Sequence, residues 1–151
     1  MSLVQRDLMV RMIQQLAEVF GRVVGLKRQG RLDEAEELLR QTSTGLFGPI
    51  WDTLERLEPS SATMMLSARE KVSAYAMLTQ HAADLEDLRG NVWKGQTGHK
   101  RALELHLEAA RLGAEVDAAT RAAIRTLRGR VDEGRLSKSY KVLLDRIAGP
   151  R

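Results

Sequence analysis

The chain has 151 residues and no Cys, and its 24 Lys or Arg against 20 Asp or Glu give a net charge of +4. Lack of Cys excludes disulfides, thiolate nucleophiles and zinc–thiolate sites, and no uncharged apolar run approaches the roughly 20 residues that cross a bilayer. Aromatics make up only 4%, so the core must come from Leu, Val, Ala, Met and Ile; with the abundant Arg and Glu these are helix formers, and they predict an all-α fold.

The first predicted element is one long helix over 3–28, with apolar residues at Leu8, Met9, Met12, Ile13, Leu16, Val19, Phe20, Val23, Val24 and Leu26. Their spacing is helical, but the arc is wider than one buried face requires, and Val4 and Val10 widen it further. The excess points to self-association, with Val4, Leu8 and Met12 as its residues and a homodimer as its product. Gly30 ends this helix through a left-handed cap. Asp33 with Glu36 reads as a capping box that opens a second helix to about Gln41, and 42–48 reads as a loop broken by Gly45 and Gly48. Pro49 suits the first turn of a short helix through Trp51, Leu54 and Leu57. After Pro59 and a short apolar turn at Met64–Leu66, Ser67 with Glu70 reads as a second capping box, opening a helix to about Arg89.

Segment 90–98 contains three Gly and reads as a mobile loop anchored by Trp93. A helix over 99–112 follows. Asp117 caps the next, from Ala118 to about Val131, and Ser137 caps the last, which carries Tyr140, Val142, Leu143, Leu144 and Ile147. About six main helices result, in a single helical domain over 1–151, with hairpins around Gly30, 90–98 and Gly134. Gly30-Arg31-Leu32-Asp33-Glu34-Ala35 returns, loosened, as Gly134-Arg135-Leu136-Ser137-Lys138-Ser139. In both, a small residue (Ala35, Ser139) sits five positions after Gly, where it would let two helices approach closely.

On these residues the chain resembles tetratricopeptide repeats. Val19, Val23 and Leu26 fall on the apolar positions of a first repeat helix, and Leu32, Ala35 and Leu39 on those of a second. Around Gly134 the matching residues are Leu127, Val131, Leu136, Ser139 and Leu143, and Ala102 and Ala109 stand where small residues usually sit. The chain is also similar to uncharacterised bacterial helical proteins that begin with a long amphipathic helix. The resemblance implies an irregular bundle or short solenoid of helical hairpins that holds other proteins.

Motifs that carry chemistry are sparse. His81, His99 and His106 lack any Glu-x-x-His or His-Glu-x-x-His context and read as surface or half-buried imidazoles. Asp84, Glu86 and Asp87, like Glu34, Glu36 and Glu37, read as solvated faces. The Met residues 9, 12, 64, 65 and 77 read as core fillers. Arg121, Arg125 and Arg128 recur at i, i+4 and i+7, with Lys138 and Lys141 on the next helix, and together they read as a basic face. No catalytic residue, cofactor or metal is expected. Arg6, Asp7 and Arg11 interrupt the apolar residues at the start, so no secretory signal is read and a cytoplasmic protein is expected. The function expected is a non-enzymatic scaffold or adaptor that self-associates and holds a protein partner whose identity the residues do not specify, away from any membrane. The alternative is a small regulatory protein whose basic face binds nucleic acid or an acidic partner.

Overall fold

A computed structural model describes residues 2–113 and 115–150; the side chains of Gln5, Arg6 and Met9 also lie outside the described residues, and with Met9 goes one member of the predicted apolar arc. Among the described residues there are helices and no strand: α1 (Leu3–Arg28), α2 (Leu32–Phe47), a 3-10 turn (Gly48–Ile50), α3 (Trp51–Arg56), α4 (Pro59–Leu66), α5 (Arg69–Leu88), α6 (Val92–Leu112), α7 (Ala118–Arg128), a second 3-10 turn (Glu133–Arg135) and α8 (Lys138–Ala148). The count exceeds six because the segment before α5 holds two short helices. The chain divides into two compact units, Met1–Arg56 and Leu57–Arg151.

In the first unit α2 folds back along α1. Gly30 adopts φ +73° and closes a Schellman turn, in which its N–H reaches Lys27 O and that of Arg31 reaches Leu26 O at 2.9 Å. The buried residues of α2 are Ala35, Leu39, Ser43 and Phe47, one i, i+4 row, and α1 buries Leu16 and Val23. Helix α2 outruns its expected end because its buried row continues through Ser43 to Phe47, while the hydroxyls of Thr42, Ser43 and Thr44 each donate to the carbonyl four residues back, at 2.7, 2.8 and 2.9 Å. These side chains satisfy themselves on the helix and do not break it. The Asp33–Glu36 capping box does not form: Arg31 stands at the N-cap with no side-chain bond to the backbone, and its guanidinium pairs instead with Glu34. Since α1 has 26 residues and α2 only 16, about ten residues at the start of α1 lie beyond the reach of α2.

The second unit is built on α5 and α6. The predicted loop at 90–98 is a correction: the chain turns within 89–91 and is helical again from Val92. Two of the glycines that suggest a loop serve helix packing. A Cβ on Gly98 would lie 2.8 Å from Ala83 Cβ, and one on Gly95 would overlap the Asp87 carboxylate. Only Gly90 is a turn glycine, with φ +83°. Its N–H reaches Asp87 O and that of Asn91 reaches Glu86 O at 2.9 Å, the same turn as at Gly30. The two hairpins therefore repeat at an offset of 60 residues: Leu16 and Ala76, Val23 and Ala83, Ala35 and Gly95, Leu39 and His99, Ser43 and Leu103, Phe47 and Leu107 are each buried in both copies. Gly134 is not the second copy of Gly30. It lies in a 3-10 turn, receives the Asp132 side chain on its N–H at 2.9 Å and is absent from the residues with positive φ. Ser139, expected to be buried like Ala35, is exposed and accepts from Arg111.

Every residue from 102 to 110 is buried, so α6 is the central helix of this unit. Its Ala102, Leu103, Leu107 and Ala110 share a core with Ile124, Leu127, Val131, Leu136, Leu143, Leu144 and Ile147. The polar residues of α6 are answered locally, Glu104 by Lys100 and Glu108 by Arg111. Arg101 donates to the hydroxyl of fully buried Tyr75 at 2.7 Å and to Leu57 O at 2.8 Å, which ties the start of the unit to its centre. Asp117 and Ser137 cap α7 and α8 as expected, accepting from Thr120 N and Tyr140 N. Ser67 does not cap α5; with φ +61° it ends α4. Met64 and Met65 of α4 are exposed, not core.

The two kinds of glycine should respond oppositely to a methyl group. Gly98→Ala should cost roughly 1–3 kcal/mol by overpacking against Ala83. Gly21→Ala, with nothing within 4 Å in the interior of α1, should gain about 0.5–1 kcal/mol from helix propensity. Urea denaturation of both variants measures the contrast; equal effects would contradict the packing role.

Candidate functional site

Val4, Leu8, Met12 and Leu16 succeed one another every fourth residue along α1 and so share one side of it. Their exposure falls along the row: Val4 is 69% exposed, Leu8 60%, Met12 half-buried and Leu16 6%. The row starts bare and passes under α2 as the hairpin begins to overlap. Leu3, Val10 and Ile13, at 79, 47 and 49%, extend the bare apolar surface around the same half-helix.

The predicted basic face divides. Arg128 is only 7% exposed and points inward, where it donates to Glu133 at 3.2 Å, to Asp145 at 2.8 Å and to the carbonyl of Gly149. Arg121 is half-buried and donates to Ile147 O at 2.6 Å. Both arginines thus satisfy carbonyls at the end of α8, where the helix leaves them without internal partners and where its dipole favours a cation. Arg125, Lys138 and Lys141 remain exposed. The i, i+4, i+7 spacing places the three arginines on one side of α7, and that side is largely the one that meets α8.

A polar cluster that the residues alone did not suggest lies between α5 and α6. His99 is 2% exposed; its Nε2 is 2.9 Å from Asp84 Oδ1 and its Nδ1 3.6 Å from Asp87 Oδ2. Arg130, just past α7, reaches Asp84 at 2.9 Å and Asp87 at 3.9 Å. Asp84 and Asp87 stand one turn apart on α5, and Gly95 leaves the room that the Asp87 carboxylate occupies. Among the described residues, Asp84, Asp87 and His99 form a set whose donor atoms all lie within 4.8 Å of one another, the spacing a metal ion would require. Gly95 and His99, four apart, are the signal in the residues, hidden wherever 90–98 reads as a loop.

His106, one of the fully buried side chains, is a different case. Its Nε2 lies 3.3 Å from Gln80 Oε1 and its Nδ1 has no hydrogen-bond partner. Burial lowers its pKa to about 4, partly opposed by the charge of Asp117. Burial also raises the Tyr140 phenol, together with its hydrogen bond to Glu108, so that this hydroxyl stays protonated.

No protein-family model matches the chain, and no curated protein or solved structure matches it.

Two measurements follow from these placements. Arg128→Ala removes the buried cation that Glu133, Asp145 and a helix-end carbonyl share and should cost about 2–3 kcal/mol, whereas Arg125→Ala should change stability by under about 0.5 kcal/mol; chemical denaturation separates them. The second concerns pH. With His106 at about 4 when folded against 6.5 unfolded, the unfolded chain takes up the proton first as pH falls. Stability should therefore drop between pH 6.5 and 4, by on the order of 3 kcal/mol from this group. His106→Gln should flatten that part of the stability curve, and an unchanged slope would contradict the buried neutral imidazole.

Proposed function

We propose that this chain is a non-enzymatic protein–protein interaction module, a scaffold or adaptor, that associates with a second copy of itself through the first half of α1. The carrying observation is the single row Val4, Leu8, Met12, Leu16, which is bare at its start and buried at its end. A hairpin with one helix ten residues too long presents an apolar half-helix with no counterpart on α2. The same half-helix of a second copy, laid antiparallel, covers Val4, Leu8 and Met12 in both chains at once, because a two-fold interface uses one patch twice. Two such hairpins then form a four-helix arrangement of the ordinary kind. The repetition of one Gly-centred turn at Gly30 and Gly90 supports reading the chain as degenerate tetratricopeptide-like hairpins, whose role is to hold proteins. The basic-face alternative is the less favoured reading, since it keeps only Arg125, Lys138 and Lys141 on the surface.

Sedimentation velocity at micromolar concentration should find twice the 16.9 kDa chain mass. Val4→Lys with Leu8→Lys should give a monomer of unchanged helicity, because both positions are exposed within one chain. A monomer before substitution, or a dimer after it, would contradict the proposal.

A further inference from the structure

We infer that Asp84, Asp87 and His99 bind one divalent transition-metal ion, which takes the place held by the guanidinium of Arg130. Three donors from two packed helices converge on one point, and a cationic nitrogen already occupies it. Arg130 NH1 lies 2.9 Å from Asp84 Oδ1, 3.9 Å from Asp87 Oδ2 and 3.5 Å from His99 Nε2. Two carboxylates carry two negative charges at that point and Arg130 returns one, so a divalent ion completes what the arginine half-balances.

The donors are of a kind that select such an ion. One imidazole nitrogen and two carboxylate oxygens suit Mn, Fe, Co, Ni and Zn better than the all-oxygen shells of Ca or Mg. His99 Nε2 and Asp84 Oδ1 are 2.9 Å apart, close to the edge of a coordination shell with bonds of roughly 2.0–2.2 Å. The framework is stiff where it must be and open where it must be. The Gly98–Ala83 contact fixes the spacing of α5 and α6, and His99 is buried. Asp84 and Asp87 keep 25 and 42% of their side-chain surface exposed, which gives an ion a way in, and Arg130 keeps 51%, which gives its long side chain a way out. With three protein donors the remaining positions fall to water.

The test uses the full chain, with Co2+ and Zn2+ as the probes. Calorimetry should find one ion per chain, and Co2+ should develop the visible bands of a nitrogen- and oxygen-ligated ion. Asp87→Asn, at a partly exposed site, and His99→Gln should each weaken binding about tenfold or more. Circular dichroism shows whether each variant keeps its helices, and Asp87→Asn decides the matter if His99→Gln does not fold. Arg130→Gln removes the competing cation and should tighten binding several-fold. Three results overturn the site: no saturable binding of either ion, one-to-one binding that survives Asp87→Asn, or an Arg130→Gln variant that binds no more tightly than the parent.

Discussion

Everything in the second unit depends on how closely α5 and α6 approach. Gly98 sets that distance by placing backbone against Ala83, and Gly95 yields its side-chain space to Asp87. Close approach puts α6 at the centre, where residues 102–110 lose solvent on every side. A helix buried all round cannot carry charge unanswered. Glu104 and Glu108 keep cations one turn away on the same helix, and His106 answers by remaining neutral. The core that α6 shares with α7 and α8 leaves the end of α8 facing α7, and Arg121 and Arg128 meet its carbonyls there.

The same turn begins both hairpins, yet the hairpins differ in what surrounds them. In the second unit α4, α7 and α8 pack around α6. In the first unit α1 is longer than its partner, and its early apolar residues stay exposed. Only one i, i+4 row of α2 is buried, whereas α6 is buried on all faces over 102–110. Apolar surface of that extent on one half-helix is what a second copy would remove from water, each buried Leu or Val side chain being worth about 1.5–3 kcal/mol. The proposed interface and the covered core thus use one supersecondary unit in two states of completion.

Much of this was legible in the residues. Helical periodicity found the long first helix, and the N-caps at Asp117 and Ser137 were identified because a short polar side chain before an apolar run has few other uses. Where expectation and structure part, tertiary packing overrides a local signal. Three Gly in nine residues look like a loop until a neighbouring helix explains two of them. Segment 42–48, with Gly45 and Gly48, looks like a loop until the buried row of α2 carries the helix on through Ser43 to Phe47. Periodicity placed Arg121, Arg125 and Arg128 on one side of α7 and had no means of telling whether solvent or α8 lay there. The cluster of Asp84, Asp87, His99 and Arg130 joins residues up to 46 positions apart, and no spacing rule along a chain reveals it.

Amide hydrogen exchange as a function of protein concentration tests the central claim most directly, since it reads both hairpins in one experiment. Amides of residues 102–110, covered within their own unit, should be protected equally at every concentration. Amides of residues 3–13 should exchange fast in dilute solution and slow together as concentration rises through the association range. Rapid exchange of 3–13 at all concentrations, or protection there that does not vary with concentration, would contradict a face completed by a second copy.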